Sequence, residues 1–307
     1  MRAVVVGAVE SSRVAIDAIG QAEGWSLPLV VSLPAHLSHR HSDFVDLSDA
    51  AAQANAEMLD ATDVNLPEIR KAVTARQPDY IFVIGWSQIC KAEFMAIAGG
   101  GAIGYHPSPL PRMRGRAVIP WTIISNEAIS GSTLFWIDEG VDSGPILDQQ
   151  FFHVAPGETA ATLYRRHMEA LRQMMDRTLA ALAAGTARRD PQDERVATWV
   201  AKRTPECGRI DWNAPAAEIE RLIRAVGRPY PGARSRIESR GHDMIIWNAR
   251  TSPDGSRHLA RPGQVVARAD NGFTVQCGDR STIEILDWES ADGRPPTMHM
   301  ILGQPGR

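Results

Sequence analysis

The chain has 307 residues, 44% of them hydrophobic and 22% charged, with a formal charge of −3. That length allows two domains with separate cores, and the composition is ordinary for a globular protein. The negative balance argues against a surface built mainly to hold nucleic acid, and no apolar run approaches the ~20 residues of a membrane helix. Arg2–Val9 lacks a cleavage site and reads as a buried first strand, not a signal peptide. Cys90, Cys207 and Cys277 are far apart and unpaired in spacing, as expected of reduced thiols in a cytoplasmic enzyme.

From Arg2–Val9 onward, β-rich runs alternate with helical patterns. The strands expected are Leu27–Ser32, Tyr80–Gly85, Ala102–Tyr105 and Ser130–Trp136, with Phe151–Val154 at an edge. Helical patterns fall at Ser11–Gln21, Leu66–Ala75, Pro120–Ser125 and Thr159–Ala183. In the last, Leu163, Leu171, Met174, Met175, Leu179 and Leu182 recur at near-helical spacing and read as core. This order predicts an α/β fold with a mostly parallel sheet flanked by helices. Polar residues from Gly185 to Glu194 and turn residues over Ala201–Gly208 then read as a linker. A helical run follows at Ala214–Val226. Short strands come next at Ala233–Glu238, Met244–Ala249, Gln264–Arg268, Phe273–Cys277 and Thr282–Trp288, the pattern of a small barrel or sandwich. The domains expected are residues 1–190, a linker at 191–207 and a β domain at 208–307.

The chemistry concentrates in two motifs. His106-Pro107-Ser108-Pro109-Leu110-Pro111 ends an apolar run and leads into Arg112, Arg114 and Arg116. Ligand sites of open α/β sheets lie beyond the strand ends, and the three prolines restrict the loop that carries the histidine. The second motif, Asp138-Glu139-Gly140-Val141-Asp142-Ser143-Gly144-Pro145, is a glycine- and proline-punctuated loop after another apolar run. Asp142, between Val141 and the Ser143-Gly144 turn, is the candidate carboxylate partner of His106. A carboxylate near a histidine orients the ring and favours its charged form, which suits a group that moves protons.

Three other signals are weaker. Gly7-Ala8-Val9-Glu10-Ser11-Ser12 has one glycine and no dinucleotide fingerprint, so Ser11 or Ser12 reads as a helix cap. His36, His39 and His41 lack the acidic or cysteine ligands of a zinc site and read as a solvated or substrate-facing loop. Lys202-Arg203-Thr204-Pro205 reads equally as solvated linker and as a basic contact for phosphate.

Taken together, the motifs resemble the formyltransferases that use 10-formyltetrahydrofolate. The run His-Pro-Ser-x-Leu-Pro-x-x-Arg-Gly-Arg-Ala carries the likeness, with Ile119-Pro120-Trp121, Gly131-Ser132-Thr133-Leu134 and Asp138 to Pro145. Downstream, Gly208-Arg209-Ile210-Asp211-Trp212, Leu222-Ile223-Arg224-Ala225 and Pro229-Tyr230-Pro231-Gly232-Ala233 resemble the carboxyl-terminal domain of the same group. The resemblance implies a doubly wound, mostly parallel α/β amino-terminal domain that binds the folate and a small OB-like barrel after it. It implies that the pterin docks on Ile84, Gly85, Trp86, Ser87, Gln88 and Ile89 and on Asp138, Glu139, Gly140 and Val141. Ser108, Arg114 and Arg116 are expected to bind the substrate.

The implied catalytic trio is Asn-x-His with a later Asp, which places His106 and Asp142 in their roles and puts Gly104 where the family has asparagine. In the implied reaction a substrate amine attacks the formyl carbon and His106 stabilises the tetrahedral intermediate. Asp142 keeps His106 charged and helps remove the amine's proton, tetrahydrofolate leaves, and no metal is required. A bound water in the space left by Gly104 is the expected substitute for the missing donor. A backbone N–H of the proline turn and a side chain of Trp86-Ser87-Gln88 are the other candidates, and the alternative is that Gly104 is a packing glycine and His106 alone carries the charge.

Two acceptors compete. Pro34–Leu47, where tRNA-acting members carry a basic loop, has Arg40 as its only lysine or arginine, beside Asp43 and Asp46. That is a poor partner for phosphates, so a nucleotide-linked amino sugar is expected ahead of methionyl-tRNA. A folate-binding protein without turnover is the third alternative. No membrane partner is expected, and a homodimer is allowed for.

Overall fold

The computed structural model describes residues 1–252, 257–269 and 271–303. Residues 304–307 of the expected β domain lie outside them. The first sheet has seven strands, β1 (Arg2–Val6), β2 (Ser26–Ser32), β3 (Glu57–Asp60), β4 (Tyr80–Val83), β5 (Ala102–His106), and, beyond the two-residue β6 (Arg114–Gly115), β7 (Ile129–Trp136) and β8 (Ile146–His153). Their order is β3-β2-β1-β4-β5-β7-β8, parallel through β5 and antiparallel at β7 and β8.

The helices of this half are α1 (Glu10–Gln21), α2 (Ser48–Gln53), α3 (Pro67–Ala75), α4 (Ala92–Met95), α5 (Val118–Ile124) and α6 (Ala160–Ala183). Alternation along β1 explains the two cores. Ala3 and Val5 face a cluster with Ile16 and Ile19 of α1 and Leu171, Met174 and Met175 of α6. Val4 and Val6 face the opposite cluster, with Ile69 and Val73 of α3 and Phe94 of α4. A strand buried on both faces reads as an unbroken apolar run, and β1 does.

β1 stops at Val6, short of the predicted Val9, because the chain must turn between two neighbours. The Gly7 N–H bonds Val31 O at 3.0 Å, and a Cβ on Gly7 would sit 1.9 Å from Ile84 O. Edge strand β3 and the six-residue α2 were not predicted. Glu57 and Asp60 are exposed and the two residues between them only half-buried, so β3 has no periodic signal.

The remaining strands are β9 (Trp199–Val200), which pairs with β6, and β10 (Ala233–Ile237), β11 (His242–Thr251), β12 (Val265–Arg268), β13 (Phe273–Gln276) and β14 (Thr282–Ser290). The last five form an antiparallel sheet in the order β10-β11-β14-β13-β12, preceded by α7 (Ala216–Val226), which buries Ile219, Ile223 and Val226. The chain divides into two compact units. One holds residues 1–118, 129–154 and 164–201; the other holds 119–128, 155–163 and 202–307. Residues 191–201, predicted as linker, therefore belong to the first unit.

Candidate active site

His106 ends β5 and is 5% exposed. Its Nε2 lies 2.8 Å from the Met113 carbonyl oxygen. A carbonyl only accepts, so Nε2 carries the hydrogen and Nδ1 is the nitrogen left to gain or lose a proton. Nδ1 lies 3.7 Å from Asp142 Oδ2. That separation is an ion-pair distance for a charged ring and too long for a direct hydrogen bond. The same Asp142 oxygen accepts the Gly115 N–H at 2.8 Å.

The two loops reach this meeting differently. Thr133 is the cross-strand partner of His106 and is fully buried. Its hydroxyl donates to Ser108 O at 2.7 Å and accepts from Leu110 N at 3.3 Å and Gln149 Nε2 at 2.8 Å. Gln149 Nε2 also bonds Leu110 O at 2.8 Å. The proline turn is thus pinned to β7 and β8. By contrast, β7 runs antiparallel to β5 and ends beside its start, with the Ile137 N–H on Ala102 O. Residues 138–142 must double back along β5 to reach the histidine, and Asp142 sits there with φ 53°, in the left-handed region.

Gly104 departs from the water expected beside it. Its strand partner is Phe135, and a Cβ on Gly104 would stand 2.7 and 2.8 Å from ring atoms of Phe135 and 3.2 Å from Ile137. Paired residues of an antiparallel ladder share a face, so the ring lies where an asparagine side chain would go. The space is apolar and filled; Gly104 is a packing glycine and supplies no donor.

Two of the three expected substrate contacts are corrected. Ser108 is fully buried and donates to Arg112 O at 2.8 Å, closing its own turn. Arg114 is 2% exposed and fully engaged. Its Nε and Nη2 donate to Gln192 Oε1 at 3.1 and 2.7 Å, and its Nη1 and Nη2 donate to the Glu194 carboxylate at 2.9 and 2.6 Å. These bonds hold the Glu194 carboxyl below the usual carboxylate range. Arg116, in contrast, is exposed.

In the 84–89 loop, Ile84 is buried, Gly85 has φ 71°, and Ser87 and Ile89 are exposed. A Cβ on Gly85 would strike Val9 at 2.2 Å, so the loop backbone passes close to the β1–α1 turn. Ser12, expected as a cap, joins these parts by accepting the Val9 N–H at 3.2 Å and donating to Ile84 O at 2.6 Å. Gln88 donates its amide to Thr62 O. The Trp86 Nε1 hydrogen is buried without a partner. Asp138, Glu139, Gly140 and Val141 are exposed, and Asp138 accepts the Gly140 N–H at 3.0 Å and the Ser143 hydroxyl at 2.8 Å.

Of the other candidates, His36 and His39 are exposed and His41 is half-buried, with burial lowering its pKa. No three His, Cys, Asp or Glu side chains gather as metal ligands among the described residues. Arg203 stacks on Trp121 at 4.8 Å and donates to Cys207 O at 2.5 Å, so it is tied into its own unit.

Sequence reasoning missed Met113, whose contribution is a carbonyl, and Gln192 and Thr198, which lay in the predicted linker. No helix among the described residues is long and apolar enough to cross a membrane.

A sheet of this topology brings a histidine at the end of β5 and a carboxylate returning from β7 together in an α/β fold. Comparison with known proteins gives that fold its family. Residues 3–179 match the family described as formyl transferase, and residues 202–305 match the formyl transferase C-terminal domain. The chain belongs to the formyltransferase family.

Among solved structures it is similar to HypX from Aquifex aeolicus in complex with tetrahydrofolic acid, at 20% identity and a TM-score of 0.65, covering 93% of this chain and 43% of that one. The chain thus spans less than half of the length of HypX. It is also similar to WlaRD, a sugar 3N-formyl transferase seen with dTDP and 5-N-formyl-THF, at 18% identity and a TM-score of 0.67. That match covers 93% of this chain and 97% of the other. Methionyl-tRNA formyltransferase from Clostridium thermocellum is similar at 16% identity and a TM-score of 0.59, covering 82% and 94%.

Proposed function

We propose that this protein moves a formyl group from 10-formyltetrahydrofolate to the amine of a nucleotide-linked amino sugar. The observation that carries the reading is the His106–Asp142 pair, closed to 3.7 Å at the strand ends of a formyltransferase-family chain. The donor, when bound, supplies an electrophilic formyl carbon and departs as tetrahydrofolate.

The chain's own residues fit such a donor. The 84–89 and 138–141 loops expose apolar Ile89 and Val141, 79% and 59% accessible, as surfaces for a pterin ring system. Gly85 admits the close backbone approach that shapes this cradle. The folate compounds held by HypX and WlaRD support the same donor.

His106, fixed at Nε2 by Met113, holds or releases a proton at Nδ1 against Asp142. In the charged state it offers positive charge against the negative charge developing on the formyl oxygen. In the loop that would face the folate, the Trp86 indole N–H is buried without a partner.

The acceptor reading rests on charge. Arg40 donates to Thr62 O at 3.5 Å, and Asp43 accepts from Tyr164 at 2.9 Å, so the 34–47 loop offers little to a phosphate backbone. WlaRD supports a sugar and the Clostridium thermocellum enzyme a tRNA. The test is mass gain on incubation with 10-formyltetrahydrofolate and either a panel of nucleotide amino sugars or initiator Met-tRNA. Formylation of a sugar with shallow salt dependence is expected. Efficient formylation of tRNA, suppressed steeply by salt, would replace this acceptor with the runner-up, and folate binding without product would remove the transfer.

A further inference from the structure

We propose that Gln192 is a positioning residue for the transfer, setting Asp142 against His106 by holding the turn that carries the aspartate. The proposal rests on the formyl-transfer reading above. Asp142 is not a glycine, yet its φ is 53°, a conformation an L-residue keeps only when its surroundings hold it. Those surroundings come from the segment at residues 190–200.

The Gln192 side-chain amide donates both hydrogens into the turn, to Asp142 O at 2.8 Å and to Gly144 O at 2.7 Å. Its oxygen is taken by Arg114 Nε and Nη2. Two arginine donors on one side fix which end of the amide is oxygen, so the NH2 must face the turn. Arg114 is itself locked by its paired bonds to Glu194. The next residue, Gly115, closes the circuit through its N–H on Asp142 Oδ2. Asp142 is thus gripped at its backbone by Gln192 and at its carboxylate by Gly115, and the two grips share the Arg114–Gly115 segment.

The same strap reaches the histidine. β9 pairs with β6 through Arg114↔Trp199 and Gly115↔Val200. The Thr198 hydroxyl accepts the Met113 N–H at 2.8 Å, and the Met113 carbonyl receives His106 Nε2. The Thr198 N–H bonds Pro111 O at 3.2 Å, and Ile146 and Asp190 exchange hydrogen bonds where the strap begins. One segment therefore sets the partners of both catalytic groups. A displacement of about 1 Å in such a constellation costs up to ~100-fold in rate.

Two near-isosteric variants separate positioning from support of Arg114. Gln192→Glu keeps an acceptor for Arg114 and adds charge to it, but it cannot donate to Asp142 O and Gly144 O. Gln192→Met keeps the length and loses both functions. Positioning predicts that both lower kcat about 10- to 100-fold, with the KM for the folate donor within about threefold and the folded fraction unchanged. It further predicts that either one combined with Asp142→Asn costs much less than the product of the separate effects.

A Gln192→Glu protein with near-normal kcat would overturn the proposal, leaving Gln192 as a partner for Arg114 alone. Loss of rate only in proportion to loss of fold would overturn it too. If the wild-type chain formylates no acceptor, the transfer reading fails, and hydrogen exchange at the Gly115 amide still decides the positioning. Faster exchange in Gln192→Glu supports it, and unchanged protection overturns it.

Discussion

The loop that carries His106 and the loop that carries Asp142 are held by opposite means. The first is stiff in its own sequence, through Pro107, Pro109 and Pro111, and is pinned by near neighbours in the sheet, Thr133 and Gln149. The second has glycines at 140 and 144, runs back against the direction of its strand, and takes its shape from Gln192 and Gly115. Restricting φ removes alternatives from the chain before it folds, whereas hydrogen bonds from a remote segment restrain the loop only once the fold has closed. The histidine is therefore placed mainly by local chemistry and the aspartate mainly by tertiary structure; both residues show in a motif, but the hold on the aspartate does not.

The comparison fails at once if the two groups do not act as a unit. His106→Ala and Asp142→Ala should each reduce turnover by about two decades or more. The double variant should cost far less than the product of the single effects. A single variant with near-normal turnover on the proper acceptor would take that residue out of the reaction.

The floor of the histidine loop gives the next largest effect. Gly104→Asn, which restores the family's residue, drives a Cβ to 2.7 Å from the Phe135 ring and should destabilise the fold by about 1–3 kcal/mol. Combined with Phe135→Ala, it should cost less than the sum of the two separate losses, because removing the ring opens the space. A Gly104→Asn protein as stable as wild type in urea titration would mean that the ring yields and that the position can hold a side chain.

Much of this was legible beforehand, and the exceptions have physical causes. Most of the first sheet, the long helix α6 and the five strands of the second β sheet follow from apolar periodicity; β3 does not, and β8 starts at Ile146, before the expected Phe151. Phe135 as the occupant of the Gly104 space was not legible, because it needs the β5–β7 register, which no local pattern encodes. Arg114, expected from the family resemblance to bind substrate, is buried instead. Its partners Gln192 and Glu194 lie 78 and 80 residues on, in a stretch whose polar composition marks a linker. Composition reports exposure, and Glu194 is exposed, but it does not report which buried cation a strap returns to cover.

Thr133→Val sharpens the contrast between the loops. It keeps the shape of the side chain and removes an oxygen that serves Ser108 O, Leu110 N and Gln149. Leaving those buried groups without partners should cost about 1–2 kcal/mol of stability. Because the prolines still restrict the turn, kcat should fall only a few-fold, less than for the Gln192 variants. An equal or greater loss of kcat in a folded Thr133→Val protein would show that the prolines alone do not place the histidine.

The smallest effect concerns the buried brace beneath the histidine loop. His167 on α6 is fully buried, with Nδ1 2.8 Å from the Ser132 hydroxyl, and that hydroxyl lies 3.1 Å from the Tyr105 hydroxyl beside His106. Burial first, and repulsion from His106 second, push the His167 pKa down to about 3 from an ordinary 6.5. The unfolded chain therefore binds a proton in the window between those values that the folded chain refuses. Stability from this group is full above pH 6.5 and is lost as pH falls below it, by at most ~1.4 kcal/mol per pH unit. Urea titrations at pH 7.5 and 5.5 should show wild type losing about 1 kcal/mol more than His167→Gln over that interval, whatever their difference at the higher pH. Equal losses in the two proteins would mean that the imidazole takes up its proton inside the fold. The brace between β5 and β7 would then be a titrating group instead of a fixed, neutral one.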